Sequence, residues 1–582
     1  MNSPSAVAHC PNSNLPYGAI KNKRIVIWGN GRQALDFMYV FPQLQVEYFV
    51  ATGEAAAKNL PKPVKSPVDL LSENKEDIFV IVCSSEADKA RASMEGMFLQ
   101  HNKHYAFSYE YAKLLDFPAN SFGAKPVAVW CNNAGRVNEF TGYYGPANVS
   151  AVISDALQAE EISFPVSVKK PQELTPENYY IVILTQVKGG GKPVVQQLEA
   201  RGLKRGADFC LWNNVTSTRD MLPSRMFYKT THAEPMTVPF CDVPFYYFTA
   251  GNYYDPDGEV DAYTSICCPV WIKPEATGYL RDSTFSEVWD SPVARVFRLS
   301  MANHTFCFCN LGLCPIRCRE YAKSQKQSPE TIVREEDYAY KLKPHPKQVI
   351  LCIHGTCNLH CLYCRPDQCT AQPAESQAIN KIADKLMADP LPHVEELIMA
   401  GNGEVFFSSV YRRLLYDVNG RDRSRSSIQL LTNGQLFNEK NFLPLEKIYS
   451  RISVSMSIDG ATRETYEKVR RGGKWETICK AMEYAGRLRK EGRLTCLQFQ
   501  FIVTADSYQE MPAFIKWVKD LGADHVQFQR LHHCGGTQTK EEFERLSLYD
   551  GNDQIKPQYR EFFKDPIFKD PIVIPDNVIP AS

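Results

Sequence analysis

Residues 348–364, QVILCIHGTCNLHCLYC, set an apolar β run directly before three cysteines. Cys357, Cys361 and Cys364 stand at C-x3-C-x2-C spacing. Three thiolates so close in sequence suit an iron–sulfur cluster, yet a [4Fe–4S] cluster normally takes four protein ligands. Three ligands leave one iron open to a small molecule, which points to a reactive centre rather than an electron wire. On spacing alone, a zinc site and a set of buried free cysteines both stay open.

From about residue 346 the chain alternates strand-like and helix-like runs. The strand-like ones are KQVILCIHG, HVEELIMAGNGE, SSIQLLTNG, RISVSMSIDG, LTCLQFQFIV and DHVQFQRL. β runs separated by helical patterns imply parallel βαβ crossovers. A strand buried on both faces should read as nearly unbroken hydrophobics, and three of these do not. Ser453, Ser455, Ser457 and Asp459 alternate with Ile452, Val454, Met456 and Ile458. Gln498 and Gln500 alternate with Leu497, Phe499 and Phe501, and Gln527 and Gln529 with Val526 and Phe528. With period two, such strands turn an apolar face to helices and a polar face to an interior. One-sided antiparallel strands would alternate too, but the intervening helical patterns disfavour them. The reading is a barrel with a wet lumen, its ligands at the C-terminal strand ends, where Cys357 begins.

With the three cysteines after the first strand, Gly401-Asn-Gly-Glu404 after the second, Thr432-Asn-Gly434 after the third and SIDGATRETYEKVRRGG after the fourth, residues 346–545 resemble the radical SAM superfamily. The resemblance implies that Cys357, Cys361 and Cys364 hold a [4Fe–4S] cluster whose open iron chelates S-adenosyl-L-methionine. It places Gly403 and Glu404 at the methionine amino group, with Asn402 as an insertion in that loop. Ser455, Ser457 and Asp459 fall where the family contacts the ribose or the methionine carboxylate; for Asp459 a turn or helix cap is the plainer alternative. Arg470–Gly473, RRGG, recurs in members with an auxiliary SPASM domain, and a surface loop is its plain reading. One-electron cleavage of the sulfonium would give a 5′-deoxyadenosyl radical that abstracts a substrate hydrogen. An auxiliary cluster accepting the resulting electron leads to oxidation, and a thiol donating hydrogen, such as Cys369 or Cys534, leads to epimerisation.

Upstream, residues 226–335 are rich in cysteine: Cys241, Cys267-Cys268, Cys307, Cys309, Cys314 and Cys318. With the run SEVWDSPVAR between Cys268 and Cys307, they resemble a SPASM-type auxiliary cluster domain, although Cys307-x-Cys309 replaces the family's C-x2-C and the segment precedes the barrel. The resemblance implies an auxiliary Fe–S cluster held by members of the set Cys241, Cys268, Cys307, Cys309, Cys314 and Cys318. Zinc remains the alternative there.

The front half reads as a duplication. KRIVIWGNGRQALDF, with Gly29, Gly31 and Ala34, has the G-x-G-x-x-A form of a strand–turn–helix phosphate cradle. Trp130 answers Trp28 at an offset of 102 residues and Pro171 answers Pro67 at 104, as two copies of one α/β unit would. The copies resemble Rossmann-like modules of sugar-modifying enzymes. The second lacks the G-x-G and the first lacks an acid after its second strand, so a docking or substrate-presenting scaffold is expected rather than a dinucleotide site.

The expected architecture is α/β: a partial (β/α)6 barrel preceded by a cysteine-rich auxiliary domain and two Rossmann-like repeats. The divisions are a flexible tail at 1–22, repeats at 23–118 and 119–225, the auxiliary domain at 226–335, the barrel at 346–545 and an extension at 546–582. Lys+Arg and Asp+Glu balance at 66 each over 582 residues, so no strong field draws nucleic acid or an anionic membrane. No apolar run reaches the roughly 18 residues of a membrane span, and the N-terminus lacks a secretory pattern. The 19 cysteines cluster rather than scatter, which fits metal ligation in a reducing cytoplasm better than a disulfide framework. The expected partners are a small-molecule or peptide substrate and an electron donor such as flavodoxin or ferredoxin. The leading functional reading is oxidation or epimerisation of a sugar, nucleotide-sugar or related metabolite. Peptide or protein modification is the rival, and a non-catalytic Fe–S or zinc scaffold the third.

Overall fold

Two parallel five-stranded sheets in the front half have the same construction. The first holds β1 (Arg24–Trp28), β2 (Val46–Val50), β3 (Val64–Lys65), β4 (Ile78–Val82) and β5 (Tyr105–Phe107) in the order β3-β2-β1-β4-β5. The second holds β6 (Val127–Trp130), β7 (Val149–Ile153), β8 (Ser167–Lys169), β9 (Tyr180–Thr185) and β10 (Phe209–Asn213) in the order β10-β9-β6-β7-β8, which is the same order counted within the copy. A register shift recurs at the equivalent place, between Ile25 and Val26 in one copy and between Val127 and Ala128 in the other. Strands buried on both faces need apolar residues throughout. In the first sheet, Ile25, Ile27, Phe79 and Ile81 join one core while Val26, Trp28, Val80 and Val82 join another.

The computed structural model describes residues 20–574 except 21, 43, 52–59, 85, 113–124, 145–148, 174, 186–191, 205–207, 214–222, 237–239, 255–259, 273–275, 282, 312–313, 315–341, 365–372, 400, 533–538 and 552–553. Cys318, Cys369 and Cys534, together with residues 1–19 of the expected tail, lie outside the described residues.

The third sheet has ten strands. Six parallel strands make the expected barrel: β14 (Gln348–Cys352), β15 (Glu396–Met399), β16 (Ser427–Thr432), β17 (Arg451–Ser457), β18 (Cys496–Val503) and β19 (His525–Arg530). Helices Pro373–Ala388, Ser409–Tyr416, Glu439–Ile448, Trp475–Lys490 and Met511–Leu521 form the crossovers. The sheet continues beyond both ends of this set. On one side β11 (Tyr247–Tyr254) pairs in parallel with β14, and β12 (Val260–Ser265) and β13 (Gly278–Tyr279) follow in antiparallel order. On the other, β20 (Val573–Ile574) pairs with β19. The cysteine-rich segment and the C-terminal extension thus share the barrel's backbone hydrogen-bond ladder. Along β18, burial alternates at each residue, with Leu497, Phe499, Phe501 and Val503 buried and Cys496, Gln498, Gln500 and Ile502 half-buried. This is the two-faced pattern read from the sequence.

The run around Trp289 works as a local folding device. Thr284 and Glu287 form a capping box on the helix Phe285–Trp289, and Ser291 caps the next helix, Pro292–Ala302. From that helix the fully buried Arg298 turns back, donating from Nε to Pro244 O and from Nη2 to Trp289 O, both at 2.8 Å. Its guanidinium lies 4.4 Å from the Trp289 ring centre. The front unit docks on the same helix, through Asn303 Nδ2 to Asp36 Oδ2 at 3.0 Å and Arg295 Nη1 to Tyr39 O at 3.0 Å. Replacing Arg298 by methionine keeps the bulk but leaves two buried carbonyls without donors. The variant should lose about 2–4 kcal/mol, seen as a lower thermal midpoint; an unchanged midpoint would show that the guanidinium does not hold this junction.

Candidate active site

The three cysteines lie in the loop that leaves β14, at the C-terminal end of the barrel strands. Cys357 is half-buried, Cys361 buried and Cys364 exposed. Two nitrogen donors approach their sulfurs: Asn433 Nδ2 is 3.7 Å from Cys357 Sγ, and Arg470 Nη1 is 3.7 Å from Cys361 Sγ. The Leu359 N–H also points at Cys357 Sγ, at 3.5 Å. Burial raises the Cys361 thiol, while the Arg470 charge favours its thiolate.

Arg470 opens the RRGG run, for which a surface loop is the plain alternative to a family motif. Its side chain is 11% exposed, and its Nη2 lies 2.6 Å from Asp459 Oδ2, whose side chain is fully closed to solvent. The other Asp459 oxygen accepts the Ile502 N–H at 2.8 Å. Asp459 itself sits in the left-handed region at φ +65°, where β17 ends, a conformation that aspartate tolerates better than most residues. The RRGG loop also lies along the cysteine loop: His360 N donates to Arg471 O at 3.1 Å, and Leu362 N to Val469 O at 2.8 Å. Gly472, at φ +86°, passes close to the His360 ring.

Gly403 and Glu404 support this loop from beneath. At φ +86°, a Cβ on Gly403 would lie 2.5 Å from His354 O and 2.6 Å from Thr356 O, so only glycine fits. The Glu404 N–H donates to Thr356 O at 2.9 Å. Its carboxylate accepts from Thr432 Oγ1 at 2.6 Å and from Asn433 N at 2.7 Å, and the residue is 1% exposed. Burial raises this carboxyl and the two hydrogen bonds oppose the rise. Glu404 and Asp459 are both enclosed here, the first held by the Thr432 hydroxyl and the Asn433 N–H, the second by the Ile502 N–H and Arg470.

The serines stand closer to their expected places. Ser457 Oγ donates to Gln500 Oε1 at 3.1 Å, and Gln527 Oε1 accepts from Gln498 Nε2 at 3.0 Å and Gln500 Nε2 at 3.4 Å. Ser455 Oγ is buried with no hydrogen-bond partner, so the lumen holds a polar atom with unmet capacity. Asn433, Arg470, Gln500 and Gln527 stand at the site without having been assigned individual roles from the sequence. The TNG and RRGG runs and the Gln alternation were the signals for them.

In the cysteine-rich segment the grouping differs from the expected one. Cys267 is buried beside Cys241, Cys309 and Cys314, whose charges raise its thiol further. An antiparallel bridge from Ile272 to Cys309 and a hydrogen bond from Asn310 N to Trp271 O (2.7 Å) hold the two cysteine stretches together. Cys268 faces Cys314 and Cys352 instead, and Cys307 Sγ approaches Lys229 O at 3.7 Å. Cys267, absent from the expected ligand set, adjoins this group, and Cys268 adjoins it through Cys314. Among the described residues, which exclude Cys318, no three thiols come within 4.8 Å of one another, here or in the Cys357–Cys364 loop.

In the front unit, Gly29, Asn30, Gly31 and Arg32 line a crevice of about 610 Å³ with Thr230, His232 and Asn303. It lies at the carboxyl ends of β1, β2 and β4, and Gly29, at φ +118°, passes so close to Cys83 O that no side chain fits.

Fold and site together define a parallel α/β barrel protein with three cysteines on one loop at its strand ends. Residues 351–545 match the radical SAM superfamily, and the chain carries a radical SAM domain there. Two curated relatives from Methanococcus maripaludis, strains C5 and C6, each named as a probable GTP 3′,8-cyclase, are 25% identical over 179 residues, 30% of this chain and 55% of theirs. The chain thus spans about half the length of these relatives. Among solved structures, it is similar to anSMEcpe with bound AdoMet, at 18% identity over 38% of this chain and 57% of that one, TM-score 0.28. It is also similar to Streptococcus suis SuiB bound to precursor peptide SuiA, at 16% identity over 38% and 46%, TM-score 0.28. The family implies a [4Fe–4S] cluster and S-adenosylmethionine, and the residues present fit both. Three thiols with directed N–H donors suit an anionic cluster, and a polar lumen with the unpartnered Ser455 hydroxyl suits a polar ligand.

The Arg470–Asp459 pair yields a direct test. Asp459→Ala strands a buried guanidinium and should cost about 3–5 kcal/mol, lowering both the thermal midpoint and the iron retained by the purified protein. If Asp459 served ligand binding alone, stability and iron would stay at wild-type level.

Proposed function

We propose that this protein is a radical SAM enzyme that abstracts hydrogen from a sugar, nucleotide-sugar or related metabolite. The observation that supports it most is the Cys361 thiol held under the buried Arg470 guanidinium at the mouth of a polar lumen. Cys357, Cys361 and Cys364 would hold the cluster, and Ser455, Ser457 and Gln500 would face S-adenosylmethionine. When bound, these cofactors supply a one-electron route to hydrogen abstraction. The protein's part is electrostatic and geometric. Arg470 and Asn433 offset thiolate charge, Asp459 keeps Arg470 in place, and Gly403 lets the loop pack low over the strand ends. The exposed Cys364 edge is the side on which an electron donor of the flavodoxin or ferredoxin kind would dock.

A nucleotide-bearing substrate is favoured by the names of the two curated relatives and by the glycine-lined crevice of the front unit. The cysteine-rich segment, with its likeness to SPASM domains, favours peptide modification as the second reading. Incubation with dithionite and S-adenosylmethionine, with nucleotide sugars or with a peptide fraction added, separates the two by which addition raises 5′-deoxyadenosine output. Cys361→Ala should abolish that output after anaerobic reconstitution, and retained turnover in this variant would remove the three-cysteine assignment.

An auxiliary Fe–S cluster is proposed on Cys241, Cys267, Cys309 and Cys314. Reconstituted protein should then hold more iron than a single four-iron cluster. Cys267→Ala should bring it down to that level, whereas Cys307→Ala leaves it unchanged. Iron that never exceeds one cluster's worth would defeat the auxiliary site, and equal loss in both variants would defeat this ligand set.

A further inference from the structure

Three side chains from three separate segments meet at the end of the barrel opposite the cysteine loop. His345 lies just before β14, Asp389 follows the helix Pro373–Ala388, and His393 ends the turn Leu391–His393 before β15. His345 Nε2 is 3.0 Å from Asp389 Oδ1. The two imidazoles stack with ring centres 4.0 Å apart and planes at 21°. One donor atom from each of the three residues lies within 4.8 Å of the other two.

Ordinary packing explains this arrangement poorly. Asp389 Oδ1 is itself shielded from solvent, although the side chain is 41% exposed, and its 3.0 Å approach to His345 Nε2 lacks hydrogen-bond alignment, so the carboxylate retains capacity for a ligand. Nearby cations are already matched, since Glu395 pairs with Arg425 at 2.5 Å and with Lys347 at 3.8 Å. Two imidazole nitrogens and a carboxylate oxygen form a donor set suited to a borderline divalent ion, and zinc takes both donor types at about 2.0–2.2 Å. His345 and His393 also line a pocket of about 360 Å³ that Asp242, Tyr246, Lys343 and Arg425 share. A fourth coordination position would open into it.

We propose that His345, Asp389 and His393 bind a zinc ion, separate from any cysteine-held cluster, with its fourth position facing this pocket. The ion ties the approach to β14, the end of the helix and the approach to β15. Conserving geometry at the N-terminal face of a parallel barrel is a stabilising role.

The test uses the full-length holoprotein produced in zinc-supplemented medium, with metal analysis and zinc K-edge absorption. The expected result is about one zinc per chain with a nitrogen/oxygen shell near 2.0–2.1 Å, imidazole scattering and no sulfur shell near 2.3 Å. His393→Ala, at an exposed position, and Asp389→Asn should each weaken zinc binding roughly tenfold or more while iron content and the circular dichroism spectrum stay unchanged. Zinc absent from the wild-type protein overturns the assignment. So does a sulfur shell, or a zinc content unaltered in a His345→Ala/His393→Ala double variant.

Discussion

A buried guanidinium holds the cysteine-bearing end of the barrel together. Arg470 reaches Cys361 on the loop after β14 and Asp459 at the end of β17, while the backbone around it hydrogen-bonds His360 and Leu362. Three segments far apart in sequence converge on one side chain. Moving such a charge out of water is costly, so it persists only because an aspartate and a thiol sulfur surround it. Glu404 does the corresponding work on the other flank, joining β15 to the end of β16 and to Thr356. The loop is thereby clamped between two enclosed side chains, Arg470 and Glu404.

The second constraint is the continuity of the third sheet. Because β11 pairs with β14, Gly251 lies opposite Cys352, and the cysteine-rich segment sits against the barrel wall instead of hanging from a linker. Lys385, on a barrel helix, strengthens the junction by donating to the carbonyls of Leu280, Arg281 and Ser283 at 2.8–2.9 Å. A redox centre in that segment would keep a fixed distance from the strand-end site, which is what controlled electron transfer needs.

Much of the architecture was legible because it rests on short-range periodicity. The Ser and Gln alternation in β17, β18 and β19 announced a two-faced strand, and the shared offset of Trp28 and Trp130 announced two copies that prove to have one strand order. Three cysteines after the first barrel strand located the site. The side-chain roles were less legible. Glu404 and Asp459 read as ligand contacts because they stand at strand ends, but whether a carboxylate there is open or enclosed depends on what packs over it. The RRGG run at Arg470 reads as a family motif or a surface loop, and nothing local reveals that Asp459 and Cys361 lie beside Arg470.

What the sequence by itself determined is therefore the set of local choices: strand or helix, inward or outward face, and the spacing of three thiols on one loop. Those follow from backbone geometry and from periods of two and 3.6, which need only near neighbours. Tertiary structure decided that the buried Cys267 lies near Cys241, Cys309 and Cys314. It also decided that β11 and the two-residue β20 extend the barrel sheet, and that two histidines and an aspartate converge below it. These depend on long-range pairing and on the loss of water around charged groups, and a linear chain carries no record of either until it folds.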